Sequence, residues 1–384
     1  MNNPNIFTFT SPSDLILEIP VDTLDSRHQT FSHPAAQYQG YINQVCLDTV
    51  LPWLQELTPQ AKVWPSVAAL PSFWEFVNGT AITVGETRFI LIPSEAMDLS
   101  ELQVAQEWVD IASWAGDYYL AVQVSADDGY VRVWGYCTQA QLQDKVNYNA
   151  GERTYSLDAS DMIVDISTLA VAQEFCSQQV SISDITETPI SQVQAQNLIS
   201  RLGSPDVITP RLAIPFELWS QLIQHGGWRQ GLYQKRLGIP EQWSVLQWLQ
   251  SGVSQVAETI GWQSLNLQLS AAGARSTAEI PLGVALSRQI EIAGQHYWLS
   301  ITLQNTDESI WRFELRNASV GAAIPGGFKL RLLTEDLQSF PNNEDVATTA
   351  VEELFVEVAL EPGEGIVWEV EPKCENYDRE ILRF

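Results

Sequence analysis

Histidine and cysteine are the side chains from which nucleophilic or metal chemistry would be built, and the chain holds four of each: His28, His33, His225 and His296, with Cys46, Cys137, Cys176 and Cys374. A thiolate nucleophile needs an imidazole close by to lower its pKa. His28 and His33 precede a helical stretch carrying Cys46, so these residues define the Cys-His hydrolase that can be drawn. Their flanking sequence does not single them out, and surface histidines beside a buried thiol are the simpler reading. No CxxC occurs, and the cysteine spacings match neither a zinc site nor a disulfide framework. His225-Gly226-Gly227-Trp228 resembles the His-Gly-Gly loop that supplies oxyanion donors in some esterases, but the Gly-x-Ser-x-Gly elbow of those enzymes is absent. Glycines that end a helix account for the motif more simply. Asp158, Asp161 and Asp165 would share one helical face, where carboxylates bind metal or exchange protons. Met162, Ile163, Val164 and Ile166 instead favour a strand, which splits the three, with Ser160 capping a short turn. Phosphate-binding glycine loops are also missing. The sequence therefore assigns no catalytic residue, no metal and no cofactor.

Binding chemistry is better represented. Glu107 to Tyr136 carries three tryptophans and four tyrosines, and reads as two alternating strands joined by an Asp-Asp-Gly turn. Successive strand side chains point to opposite faces. That places Val131 and Val133 on one face, and Tyr130, Arg132, Trp134 and Tyr136 on the other. A small barrel that buries the valines leaves a row of rings and a guanidinium outside, with Trp108 and Trp114 beside them. SH3-type barrels hold peptides on such a surface. The competing reading packs Trp134 and Tyr136 under a neighbouring helix as interior rings.

Charge sets the class of partner. With 47 acidic and 20 basic residues among 384, the formal charge is −27, which repels nucleic acid and anionic lipid. Five basic residues against two acidic between Arg201 and Arg236 make a local exception, with Arg229, Lys235 and Arg236 as its basic patch. From Thr334 to Phe384 the balance is 14 acidic to three basic, a tail suited to docking on a basic surface. A hydrophobic fraction of 45% with 14 tryptophans excludes a disordered chain. The opening residues lack the basic lead and apolar core of a signal peptide, and no run reaches the ~18 apolar residues of a membrane helix. Scattered thiols fit a reducing compartment, so the expectation is a cytoplasmic protein.

These groups must be positioned by more than one core, because 384 residues exceed an ordinary single domain. An apolar run at Leu15–Ile19 predicts a strand, and three- and four-residue spacing from Gln37 to Leu57 predicts an amphipathic helix that Pro52 kinks or ends. Strands at Ala81–Val84 and Arg88–Ile92 form a hairpin around Gly85-Glu86. A helix at Gln139–Lys145 and a strand at Thr154–Leu157 follow. Residues 180–197 lack Lys and Arg and read as a linker, after which a helix from Ser191 stops at Gly203. Pro215 and Pro240 open further helices. Beyond Leu265 the period becomes two, as in Tyr297, Leu299, Ile301, Leu303 and in Trp311, Phe313, Leu315, giving about seven strands. The fold class expected is α+β and multi-domain. Residues 1–179 form a mixed domain with an SH3-like small β-barrel at about 80–165. A linker at 180–200, a helical connector at 201–262 and an antiparallel β-sandwich at 263–384 complete it.

Three blocks, WVDIASWAGDYYLAVQV with GYVRVWGYCTQAQL (Trp108–Leu142), RTYSLD (Arg153–Asp158) and GWRQGLYQKRLGIPEQWSVLQWLQ (Gly227–Gln250), resemble a largely cyanobacterial family of uncharacterised proteins, a domain of unknown function. The resemblance covers most of the chain. Its members sit near genes for sigma factors and for caspase-like or sensory proteins, which implies a regulatory or adaptor role and supplies no catalytic residues. The reading is a non-enzymatic adaptor whose partner is a protein, such as a signalling, caspase-like or transcription component. No nucleic acid or membrane is bound directly. The alternatives are a Cys46-dependent hydrolase and a structural subunit of a larger assembly.

Overall fold

A computed structural model describes residues 14–25, 29–145, 147–165, 190–240, 243–266, 284–305, 309–375 and 377–384. His28, Cys176 and residues 180–189 of the expected linker lie outside them. The chain is mixed α+β and divides into two compact units, Met1–Thr188 with Ser200–Gln224, and Pro189–Ile199 with His225–Phe384. The helical stretch expected as a connector at 201–262 is thus shared between units. Helix Gln192–Leu202 ends just before Gly203, as its sequence predicts, and occupies the last part of the expected linker. Among the described residues no helix is long and apolar enough to cross a membrane.

The first unit contains β1 (Leu15–Glu18), β2 (Lys62–Trp64), β3 (Thr80–Val84), β4 (Thr87–Ser94), β5 (Glu101–Ala105), β6 (Tyr118–Ser125), β7 (Tyr130–Thr138), β8 (Asn147–Asn149) and β9 (Thr154–Asp158). They make a six-stranded sheet of order β1-β7-β6-β4-β3-β2 and a three-stranded sheet of order β5-β9-β8. Residues 80–165, expected to close one SH3-like barrel, therefore supply strands to two sheets. The reason is the link from β4 to β6, which pair in parallel and so require a crossover, here residues 95–117. That crossover contains β5 and a short helix, Gln106–Asp110. Trp108 is consequently helical and Trp114 lies in the turn after it, not on a strand.

Local rules account for the framework. Gly85 adopts φ 60° in the two-residue turn between β3 and β4, where Val84 pairs Thr87. Helix Pro34–Leu57 begins on a proline, with His33 Nδ1 accepting from the Ala36 N–H at 3.3 Å. It continues through Pro52, because a proline removes one backbone donor while buried Val50 and Leu54 hold the flanking turns. One face is buried along Ile42, Val45, Cys46, Val50 and Leu54.

In the second unit, β10 (Trp262–Asn266), β11 (Val284–Ile292), β12 (Gln295–Asn305), β13 (Ile310–Asn317) and β16 (Glu353–Ala359) form an antiparallel sheet in that order. A second antiparallel sheet has the order β15 (Glu344–Val346), β14 (Lys329–Thr334), β17 (Gly365–Glu371), β18 (Leu382–Arg383). The period-two residues read from sequence are the inward ones: Tyr297, Leu299, Ile301, Trp311, Phe313, Leu315, Leu354, Val356, Ile366, Trp368 and Val370 share one buried cluster. The single helix expected after Pro240 is two, Val245–Ser251 and Gln255–Thr259, separated at Gly252 with φ 95° and restarted by Ser254, whose Oγ accepts from Ala257 N.

Buried carboxylates tie these elements together. Glu107, fully buried, accepts from Arg211 twice (Nε 2.9 Å, Nη2 2.6 Å) and from the Trp219 indole N–H at 2.8 Å. Glu335 accepts from Gln192 Nε2 at 2.8 Å, Trp228 Nε1 at 3.2 Å and Arg383 Nη1 at 2.5 Å. Glu380 accepts from Trp262 Nε1 at 3.0 Å, Trp368 Nε1 at 2.7 Å and Arg288 Nη1 at 3.1 Å. Removing one partner of such a cluster strands the others without water, at about 3–5 kcal/mol. Glu107→Ala should lower the stability of the first unit by that amount in urea unfolding followed by fluorescence. An unchanged midpoint would show that Arg211 and Trp219 find other partners.

Candidate functional site

The aromatic row expected on one face of β7 does not exist as a surface. Trp108, Trp114 and Tyr136 are buried, at 1%, 1% and 2% exposure. Trp108 stacks on Phe73 with centroids 5.9 Å apart, lies 5.2 Å from Trp114, and donates its indole N–H to Asn78 O at 2.8 Å. Tyr136 meets Tyr118 edge-on at 6.0 Å. Tyr130 is half-buried at the start of β7. Arg132 is held by Asp14, with Nη2 2.6 Å from Oδ2.

A β-bulge breaks the row. Ala121 pairs Gly135 and Val122 pairs Val133, which leaves Trp134 with no residue opposite it. One extra residue shifts the parity of the strand, so Tyr130 and Arg132, opposite Ser125 and Gln123, no longer share a side with Tyr136, opposite Leu120. Past the bulge the main chain of Tyr136 exchanges two 2.9 Å hydrogen bonds with Ile163, covering that edge. Sequence periodicity carries no sign of an inserted residue, so the four-residue face it predicts does not form.

Trp134 is also buried, at 8% exposure, and lines a cavity of about 500 Å³ in the first unit. Its walls come from β4 and β6 (Ile92, Pro93, Ala121, Val122), from β5 (Glu101, Leu102, Gln103) and from Arg211, with loop 94–100 at its mouth. This volume lies in the range of small-ligand and peptide-side-chain pockets. Its parts are fixed from behind. Asn43, fully buried, donates to Asn78 Oδ1 at 2.8 Å and accepts from Gly79 N at 3.0 Å. Asn78 in turn donates to Pro93 O at 2.9 Å. Gln123 Nε2 holds Ala96 O at 3.1 Å, and Asp98 Oδ1 accepts from Ser100 N at 3.0 Å, shaping the loop. Arg211 is immobilised by Glu107 and by the carbonyls of Glu152 (2.7 Å) and Arg153 (3.0 Å). Loop 94–100 and the adjoining strand carry Glu95, Asp98 and Glu101, all exposed. Partial burial, and then the neighbouring Asp127 charge, hold the Glu95 carboxyl above its ordinary range. Asp98 and Glu101, but not Glu95, line the cavity, and they make its mouth acidic.

The other candidates resolve differently. Arg229 and Arg236 are buried and only Lys235 is exposed, so the three do not form a basic patch. Helix Gly226–Leu237 turns Arg229 and Arg236, seven residues apart, to its inner side, where Arg229 pairs with Asp378. The glycines of His225-Gly226-Gly227 start that helix and do not end one. A side chain at Gly226 would overlap Asp378 and the Arg379 carbonyl, and one at Gly227 would overlap Ile381. His225 caps the helix, its Nδ1 accepting from Trp228 N at 3.4 Å while Nε2 donates to Glu335 O at 3.0 Å. Burial, with the charge of Arg379 next, pulls this imidazole down to about 3.

Cys46 is wholly buried and burial raises its thiol far above the ordinary range, which removes the nucleophile of the hydrolase reading. Burial also pushes Cys137 up to about 12 and Cys374 up to about 11. His33 serves as a helix cap. Asp158 closes β9 and caps a 3-10 turn by accepting from Ser160 N at 2.8 Å, the reverse of the expected Ser160 cap. Among the described residues no group of His, Cys, Asp or Glu is arranged to hold a metal.

One family pattern matches residues 17–383, that described as "Protein of unknown function (DUF1822)", and the chain belongs to this family. No curated protein and no solved structure matches it.

Two measurements check these assignments. Iodoacetamide at pH 8 should leave Cys46, Cys137 and Cys374 unmodified in the native protein, as read by peptide mass spectrometry, and rapid labelling of Cys46 would restore the nucleophile. Unfolded, His225 takes up a proton near pH 6.5; folded, only near pH 3. The unfolded chain therefore binds the extra proton between these values. The stability carried by the neutral ring is complete above pH 6.5 and is lost as pH falls toward 3, with a slope of up to about 1.4 kcal/mol per pH unit. His225→Asn should remove that component of the slope between pH 6 and 4 in urea titrations. An identical slope in both proteins would mean the ring titrates freely in the folded state.

Proposed function

We propose that this member of the family is a non-enzymatic adaptor that takes a short, basic segment of a protein partner into the cavity beside Trp134. The observation that carries the reading is the preformed cavity itself, walled at the bulge in β7 by Trp134, an indole only 8% exposed. Bulges recur where a strand must re-aim a side chain at a site. A rigid ring supplies contact area at little entropic cost. The acidic mouth at Asp98 and Glu101, on a chain of net charge −27, favours a cationic partner and speeds its arrival more than it tightens the complex. Signalling, caspase-like and transcription components in the cytoplasm remain the partner class within this reading, now engaged through a pocket and not through an aromatic face. Of the finer architecture, the β-sandwich at 263–384 is supported by the core common to its two sheets. The SH3-like barrel is not retained, because its strands divide between two sheets.

The test uses the full chain and the heptapeptide acetyl-Lys-Val-Lys-Leu-Lys-Val-Lys-amide in titration calorimetry. Ser100→Trp, at an exposed position on the mouth, should fold normally and abolish binding. The pair Asp98→Asn and Glu101→Gln should weaken binding about tenfold at low salt and flatten its salt dependence. Equal binding to all three proteins, or none to the parent, would overturn the proposal.

A further inference from the structure

The wall of the cavity made by β5 is a strand edge. In the three-stranded sheet β5 comes first, paired with β9 on one side and, among the described residues, with no strand on the other. The ladder identifies which main-chain groups face that open side. Ala159 N donates to Ser100 O at 2.8 Å and Gln106 N donates to Arg153 O at 2.9 Å, at the two ends of a register in which Leu102 opposes Leu157 and Val104 opposes Tyr155. Hydrogen-bonded pairs alternate in an antiparallel ladder. Ser100, Leu102, Val104 and Gln106 therefore direct their peptide groups to β9, and Glu101 and Gln103 direct theirs away from it. Glu101 and Gln103 both line the cavity. Their side chains are exposed, while those of Leu102 and Val104 are buried.

Unpaired edges of this kind are usually blunted by a proline, a lysine or a covering segment. The sequence Glu101-Leu102-Gln103-Val104-Ala105 has neither residue, and it ends where helix Gln106–Asp110 begins, so the free edge is short and bounded. We infer that the partner segment is held as an added β-strand on the free edge of β5, its main chain bonded to the N–H and C=O groups of Glu101 and Gln103. This rests on the cavity reading above and specifies how the segment is held. Strand addition draws affinity from main-chain bonds and selectivity from alternate side chains. One set of the partner's side chains would enter the cavity toward Trp134. The other would stand at the mouth, where Asp98 and Glu101 select lysine or arginine. A second copy of the chain is a poor occupant, because two mouths of like charge on chains of −27 would repel.

The parity of the added strand supplies the test. Two versions of the same heptapeptide carry N-methyl groups on alternate peptide nitrogens, one on the odd set and the other on the even set. Only one set can face β5. Methylation of that set should weaken binding at least about tenfold by removing several main-chain bonds, and methylation of the other should leave binding within about twofold. In amide hydrogen exchange by NMR, the unmethylated peptide should slow Glu101 and Gln103, whereas Leu102 and Val104 are slow already in the free chain. If both methylated peptides bind like the parent and Ser100→Trp still blocks all three, strand addition is overturned and the cavity reading stands. If no version binds, both fall. Slow exchange at Glu101 and Gln103 without peptide, accompanied by a dimer in sedimentation, would replace the partner segment by a second copy.

Discussion

A carboxylate removed from water must be met by donors, and that requirement organises both units of this chain. Glu107, Glu335 and Glu380 are each nearly inaccessible, and each is surrounded by an arginine and one or two indole N–H groups. Hydrophobic packing alone would accept many arrangements of the same apolar residues. A buried ion with three directed donors accepts few. Each cluster joins segments far apart in sequence, so that Arg211 and Trp219 are brought to Glu107, and the final residues of the chain to Arg288, Trp262 and Trp368. As a result, arginines and tryptophans that look like binding residues are largely committed to the interior. The basic patch around Arg229 fails for the same reason, since its central guanidinium is matched by Asp378.

The cavity depends on this rigidity. Arg211 can serve as a wall only because Glu107 and two carbonyls hold its guanidinium still. The crossover that makes β4 and β6 parallel has to leave the large sheet and return. In doing so it lays β5 beside that sheet without hydrogen-bonding to it, and a gap lined by both sheets remains. The bulge in β7 then supplies the gap with an indole. Pocket and strand edge thus follow from one topological choice, the parallel pair in an otherwise antiparallel sheet, while the ring comes from the separate bulge between β6 and β7.

Ion pairs also account for much of the acidic tail. Glu353 and Glu357 reach Arg312, and Glu369 reaches Arg331, across neighbouring strands, while Arg379 pairs with Glu369 from the segment before β18. These pairs are partly exposed, where each contributes under about 1 kcal/mol, so their effect is to place charge in register more than to hold the sheet. The acidic groups at the mouth of the cavity differ in that no arginine or lysine is paired with Asp98 or Glu101 among the described ion pairs. Charge there remains available to a partner.

Local pattern determined the elements whose information is local. The Gly85-Glu86 hairpin, the helix ending before Gly203, and the alternating strands from Tyr297 to Val370 were legible because turn preference and side-chain period act over a few residues. The strong negative charge was legible from composition alone. Tertiary structure alone decided the site. The parity break at Trp134 requires knowing that Val122 faces Val133 while Ala121 faces Gly135, a fact about another strand. The burial of Trp108, Trp114 and Tyr136, the inward turn of Arg229, and the free edge of β5 are likewise set by what packs against each residue. A sequence states what each side chain can bond to; only the fold determines which of those bonds are already taken.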